Sequence, residues 1–334
     1  MPVTGLPALQ QDIIRYGLSV YFALGLLGNI FNCLMFTRSC YRRIPSSVYF
    51  LALSSFGIIY IIWTMFPLMY TLNNPDPQAN SAIYCKTQKY GIHLLALYLR
   101  YTIVFACIDR FLITRTNVRL RSLSSVKTAI ISLIVMVLTG FFIAVHILIY
   151  TDINSGVCTM TGLYKLVYAI YQIMVVSIIP PSLMSIFSVL TIRSLHQRNS
   201  TTQVSSRRKD HHMVRMVLVE VAVNVSTSIP YSASLFYGAV TYALKNKSLE
   251  RMEIESFVTF ITQILVYSLS VVPFYLFVLT SKPFRKDFIK LLRHFWNKFV
   301  MRRTQIIPIN DQTYSTTNVG TLTRYKQQKT TSKN

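Results

Sequence analysis

Residues 85–110 read CKTQKYGIHLLALYLRYTIVFACIDR, and the fold turns on them. The stretch opens on Cys85 beside polar residues, runs through a long apolar segment, and closes on the acid–base pair Asp109-Arg110. Its core, 90–108, is long enough at helical rise to cross the ~30 Å of hydrocarbon in a bilayer. Arg100 falls near mid-depth, and Asp109-Arg110 at the foot. Ionisable groups at such depths are costly and face a bundle interior rather than lipid. The helix is therefore expected at the centre of a bundle, and the rest of the chain must supply the other members.

The chain has 334 residues, 52% hydrophobic and only 13% charged, whereas an average soluble domain carries roughly 25% charged residues. The shortfall lies in acids: 11 Asp and Glu stand against 34 Lys and Arg, for a net charge of +23. Nucleic-acid-binding proteins also carry such charge, but here the basic residues form short blocks between apolar runs. That distribution follows the positive-inside bias of membrane proteins, not a basic stripe on a folded surface, so no nucleic-acid partner is expected.

Seven apolar runs can be read: 13–36, 48–70, the opening helix, 128–150, 163–192, 213–237 and 254–280. Only helices suit these lengths in lipid, because each backbone polar group must be satisfied within its own segment. The loops after runs one, three and five are rich in Lys and Arg. Those after runs two (TLNNPDPQANS) and four (TDINSGVCTMTG) have none. The bias places the amino terminus outside and the carboxyl terminus inside a plasma membrane. The expected organisation is a short extracellular segment 1–12, an all-α seven-helix bundle 13–280, an amphipathic helix 281–300 and a disordered cytoplasmic tail 301–334. In the amphipathic segment Phe284, Phe288, Leu291, Leu292, Phe295 and Phe299 recur at helical spacing among lysines and arginines. That pattern fits a helix on the inner membrane surface, its cations near anionic lipid.

Cys33 and Cys107 lie inside apolar runs and read as small buried hydrophobes. Cys85 and Cys158 fall outside apolar cores, on the face where the topology is oxidising. His93 has no partner at ligand spacing, so no metal site is expected. No carboxylate pair, nucleophile with base, or phosphate loop points to catalysis, and no cofactor is implied.

Seven spans with Asp-Arg at the inner end of the third resemble rhodopsin-like (class A) G-protein-coupled receptors, of a divergent invertebrate type similar to peptide receptors or chemoreceptors. Gly28-Asn29 and Leu51-Ala52 match the family's pairs in spans one and two. Cys85 stands 25 residues before Arg110, and Pro230 falls at the span-six proline. PFYLF at 273–277, followed by TSKPFRKDF, resembles the Asn-Pro-x-x-Tyr region leading into an eighth helix. The resemblance implies a Cys85–Cys158 disulfide and a coupling switch made of Asp109, Arg110, Pro273 and Phe277. The span-seven register leaves either Phe277 or Leu276 at the tyrosine position. Departures are Phe111 for the motif tyrosine, Ser55 for the span-two aspartate and Ser228 for the span-six tryptophan.

The same resemblance puts a ligand pocket between spans three, five, six and seven, with Gln88, Lys89, Ile92, His93, Ala96, Tyr231 and Tyr267 as candidate lining. Ile92 stands where amine receptors carry an aspartate, which argues against a monoamine. Arg100 has no family counterpart. Glu220 is the one acid inside span six, so the two are expected to pair across the bundle. Asn246 begins an outer-side glycosylation triplet. The expected function is a cell-surface receptor that passes a peptide or other non-monoamine signal to a heterotrimeric G protein. Membrane lipids, and arrestin through the phosphorylatable tail, are further expected partners. The alternatives are a transporter or channel using Arg100 and Glu220, and a ligand-binding protein that does not couple.

Overall fold

The computed structural model describes residues 3–154, 156–160, 162–197, 204–241 and 247–304. Seven helices in it are long and apolar enough to cross a membrane: Leu6–Phe36, Pro45–Tyr70, Ala82–Ile113, Val126–Tyr150, Leu163–His196, Val214–Val240 and Leu249–Val271. Numbered one to seven in chain order, they match the seven apolar runs, most ends agreeing within about a turn. Asn246 and the tail beyond Thr304 lie outside the described residues.

Two ends differ more. Span one begins at Leu6 rather than at 13, with Pro7 in its first turn, where a missing N–H leaves nothing unpaired. The residues just before it are tied down, because the Val3 and Thr4 amides donate to the Glu253 carboxylate of span seven at 2.9 and 2.8 Å. At the other end, span seven stops at Val271 and a short helix, Pro273–Thr280, follows. Pro273 sits at its first position, again where the absent donor is harmless.

Span three packs against spans two, four, five and six. It is also the most enclosed: 67% of its most apolar window is buried, against 17% for span four. A helix buried nearly all round occupies the middle of a bundle, which is where its ionisable groups require it to be.

Span five carries a local irregularity with a chemical cause. Pro180 and Pro181 have no N–H to offer the carbonyls before them, and the helix widens into a π-turn over Ile173–Ile178. Five residues on from Val175, the partner spacing of such a turn, is Pro180. The Tyr101 hydroxyl of span three donates to the Val175 carbonyl instead, at 3.1 Å.

The C-terminal helix spans Lys282–Thr304. Phe284 and Leu291 are buried, and Phe288 packs against Phe31 of span one and Phe274 at 5.2 and 5.0 Å between ring centroids. The first half of the apolar stripe therefore docks on the bundle instead of on lipid. Leu292, Phe295 and Trp296, further along the same helix, are exposed.

Candidate functional site

Span three begins with a cap: the Ser81 hydroxyl accepts the Tyr84 amide at 3.3 Å, one turn ahead of Cys85. Between spans four and five the chain makes an antiparallel hairpin, β1 Thr151–Asn154 and β2 Val157–Met160, with Ile153 opposite Cys158. Gly156 at the turn has φ +75°, which side-chain-bearing residues avoid. Cys85 and Cys158 are joined in a disulfide, Cα atoms 5.6 Å apart. The bond holds the hairpin against the end of span three.

Two turns further along span three, His93 is buried and its Nε2 lies 3.0 Å from the Tyr171 hydroxyl of span five. Gln172 is also within reach of the imidazole, and the Tyr168 ring lies 5.9 Å away. Tyr164, Tyr168, Tyr171 and Gln172 recur at helical spacing, giving span five one polar-tipped face. Tyr231 of span six, beside Pro230, interacts with Gln172. It has Tyr168 and Tyr267 as electrostatic neighbours. Tyr267 of span seven packs edge-on against Tyr60 of span two, centroids 5.9 Å apart. Tyr60 and Tyr267 are buried, whereas Tyr168 and Tyr231 keep part of their surface open. Phenol, amide and imidazole groups from spans two, three, five, six and seven thus converge on one interior region.

Arg100 enters this region. It is 1% exposed, and its electrostatic neighbours are Tyr60, Tyr231 and His93. Among the described residues its Nε and Nη2 have no hydrogen-bond partner. Glu220 is equally buried, and among the same residues neither of its carboxylate oxygens has a partner. The expected Arg100–Glu220 pair is therefore not formed. Helical rise places a residue along its axis but says nothing of the direction its side chain leaves. Glu220 has Cys107 as its neighbour on span three, about 10 Å further along the helix than Arg100.

The other expected pocket residues divide. His93, Tyr231 and Tyr267 belong to the cluster. Gln88 does not: its Nε2 donates to the Trp63 carbonyl of span two at 2.7 Å, and the Trp63 indole donates back to the Gln88 carbonyl at 3.4 Å. Gly91 allows that approach, because a Cβ there would fall 2.4 Å from the indole nitrogen. Lys89 is half-buried with Asp76 as its electrostatic neighbour. Ile92 is half-buried and Ala96 buried. Of the acids near the disulfide end, Glu253 holds the amino terminus and Glu255 is bonded to Lys247 and Arg251 at 2.5 and 2.9 Å.

At the opposite end of span three Asp109 and Arg110 are both buried and paired, Arg110 Nη2 standing 2.7 Å from Asp109 Oδ2. The Ser46 and Ser124 hydroxyls donate to the same carboxylate, each at 2.5 Å. Ser46 opens span two, and Ser124 precedes span four. Phe277 is buried among Phe50, Phe284 and Phe36, at 5.1, 5.9 and 6.3 Å, while Leu276 is less enclosed. The inward position is thus Phe277, and its partners are aromatic. Pro273 is buried where the backbone breaks. Asn29 donates to the Ser270 carbonyl at 2.6 Å and so ties span one to span seven. Ser55 faces outward and donates to the Leu51 carbonyl at 2.9 Å; the buried residue beside it is Ser54.

Ser46, Ser124, Tyr60, Tyr168, Tyr171 and Gln172 were not singled out from the sequence. The three span-five residues left a signal, a run of polar-tipped side chains on one face of an otherwise apolar helix. The serines left none. Residues 28–274 match the sequence model of a family described as 7 transmembrane receptor (rhodopsin family). No curated protein matches the chain.

Proposed function

Because the chain belongs to the rhodopsin family of seven-transmembrane receptors, we propose that it is a plasma-membrane receptor with its amino terminus outside, and that it passes a non-monoamine signal, peptides foremost, to a heterotrimeric G protein. The observation that carries this reading is the buried Asp109–Arg110 pair at 2.7 Å. Removing one member of a buried ion pair leaves an uncompensated charge and costs about 3–5 kcal/mol. A guanidinium held this way at a bundle end gives a two-state element that a partner can bias by offering better contacts in the released state. The disulfide end of the same helix abuts the polar cluster, so ligand contact and partner contact act on one rigid element.

Ile92 offers no carboxylate to an amine, which sets monoamines aside. Lipids are partners along the exposed Leu292, Phe295 and Trp296. Arrestin would be engaged by the tail, outside the described residues.

The test is basal nucleotide exchange on a panel of G proteins, with receptor-containing membranes. Asp109→Asn frees Arg110 and should raise the basal rate several-fold, while Arg110→Leu in the same background should abolish it. Absence of exchange with every G protein, in the wild type and in D109N, would leave a non-coupling receptor-like protein. The unpartnered Arg100 and Glu220 keep a transporter reading in view, and it requires solute flux in reconstituted vesicles without any G protein.

A further inference from the structure

An arginine that is 1% exposed in the middle of a bundle has to be balanced by something. Burying an ionised side chain costs several kcal/mol unless an opposite charge and hydrogen bonds offset it. For Arg110 the offset is present: Nε and Nη2, the side-on edge of the guanidinium, both address Asp109 Oδ2, at 3.3 and 2.7 Å. On Arg100 the corresponding edge, Nε and Nη2, is empty. Two parallel N–H donors on one edge are the arrangement that a carboxylate meets with its two oxygens.

Among the described residues no carboxylate meets that edge. Glu220, the one acid of span six, leaves both oxygens unpartnered and neighbours Cys107 instead. Asp109, Glu253 and Glu255 are bonded elsewhere. The electrostatic neighbours of Arg100 are the phenols Tyr60 and Tyr231 and the His93 imidazole. A phenol can donate its O–H to an anion, and Tyr231 retains open surface. Gln172, which interacts with Tyr231, has an Oε1 with no donor. The cluster therefore presents a buried bidentate cation, one buried and one partly open hydroxyl, and a buried unmet acceptor, and among the described residues no anion matches them.

We propose that the unpaired guanidinium edge of Arg100, with the Tyr60 and Tyr231 hydroxyls beside it, anchors the carboxylate of the receptor's ligand, and that Gln172 Oε1 accepts an N–H or O–H adjacent to that carboxylate. A peptide's free C-terminus has this pairing of carboxylate and neighbouring amide N–H. A small hydroxy or amino acid derivative shares it, and a simple alkanoate has only the first half. The inference rests on the receptor reading above for the location of a ligand, but not on coupling.

The experiment uses the full-length receptor in lipid nanodiscs and reads its unfolding midpoint. The probes are matched pairs differing in one charge: mixtures of tripeptides as free acids and as C-terminal amides, and n-alkanoates from acetate to decanoate with their primary amides. Free-acid tripeptides should raise the midpoint in a saturable way, and their amides should not. Arg100→Gln should lower apparent affinity about tenfold or more, the scale set by losing one charge-assisted bond. Arg100→Lys should retain part of it. Tyr231→Phe and Tyr60→Phe each remove a single hydroxyl, so they carry the test if R100Q does not fold, and each should weaken the free-acid response several-fold. A response to alkanoates alone would keep the carboxylate anchor and assign it to a small acid. Equal responses to acids and amides, no response to any carboxylate, or an undiminished response in R100Q or in both phenylalanine variants would overturn the proposal. A receptor that binds carboxylates but drives no nucleotide exchange would overturn the coupling reading alone.

Discussion

At Asp109 three donors converge on one carboxylate: the Ser46 and Ser124 hydroxyls and the Arg110 guanidinium. Hydrogen bonds to a charged group are worth roughly 1.5–3 kcal/mol, so the serines hold the acid in place as firmly as the arginine does. If they position Asp109 to restrain Arg110, then Ser46→Ala should raise basal nucleotide exchange, by less than D109N does. It should have no further effect in the D109N background, because its action passes through that carboxylate. Additive effects in a double-mutant cycle would refute this linkage. The Asp109-Arg110 pair was legible in the sequence because its members are adjacent. Ser46 is separated from Asp109 by 63 positions, and only the rotation of span two about its own axis brings it close. The same missing rotation explains the failed Arg100–Glu220 expectation. Hydropathy and rise give the height of a group in the bundle; azimuth is set by packing, which a single sequence does not display.

Helical elements fared better, since each must satisfy its backbone alone in lipid and so leaves a length and composition that can be read directly. What stayed hidden were the irregularities. Pro180-Pro181 announces a disturbance in span five, but not that a π-turn over Ile173–Ile178 absorbs it, nor that Tyr101 covers Val175. A buried carbonyl left bare costs about 1–3 kcal/mol. Tyr101→Phe, which deletes only the hydroxyl, should therefore lower the unfolding midpoint in nanodiscs. Tyr98→Phe, which removes an equivalent bond to Val137 at 2.7 Å outside the π-turn, provides the comparison at a regular helix. The disulfide works at the same scale. It closes a loop of 73 residues, for which chain entropy gives roughly 4 kcal/mol as an upper figure. Cys85→Ser, Cys158→Ser and the double variant should lose the same thermal stability, and reductant should bring the wild type down to their level. If the single losses add, the bond is not the common cause.

Across the whole molecule the two ends of the bundle differ in charge as much as in chemistry. Around the disulfide end, Lys86, Lys89, Lys165, Lys247 and Arg251 are offset by Asp76, Asp152, Glu250, Glu253 and Glu255. Around the Asp109–Arg110 end, Arg38, Arg42, Arg43, Arg115, Arg119, Arg121 and Lys127 outnumber the acids among the described residues, where Asp109 is already committed to Arg110 and Asp287 to Tyr41 and Lys290. Basic loops stay on the cytoplasmic side, and each Lys or Arg near an anionic leaflet contributes about 1 kcal/mol to holding it there. The disulfide makes the same demand independently, because it persists in an oxidising compartment. Both arguments support the proposed orientation, with the amino terminus outside. An epitope before Leu6 should then be labelled on intact cells, and one after Thr304 only once the membrane is permeabilised. The converse labelling would turn the molecule over. It would put the Arg100 cluster on the cytosolic face, and with it would go both the extracellular ligand and the route by which its carboxylate is proposed to reach Arg100.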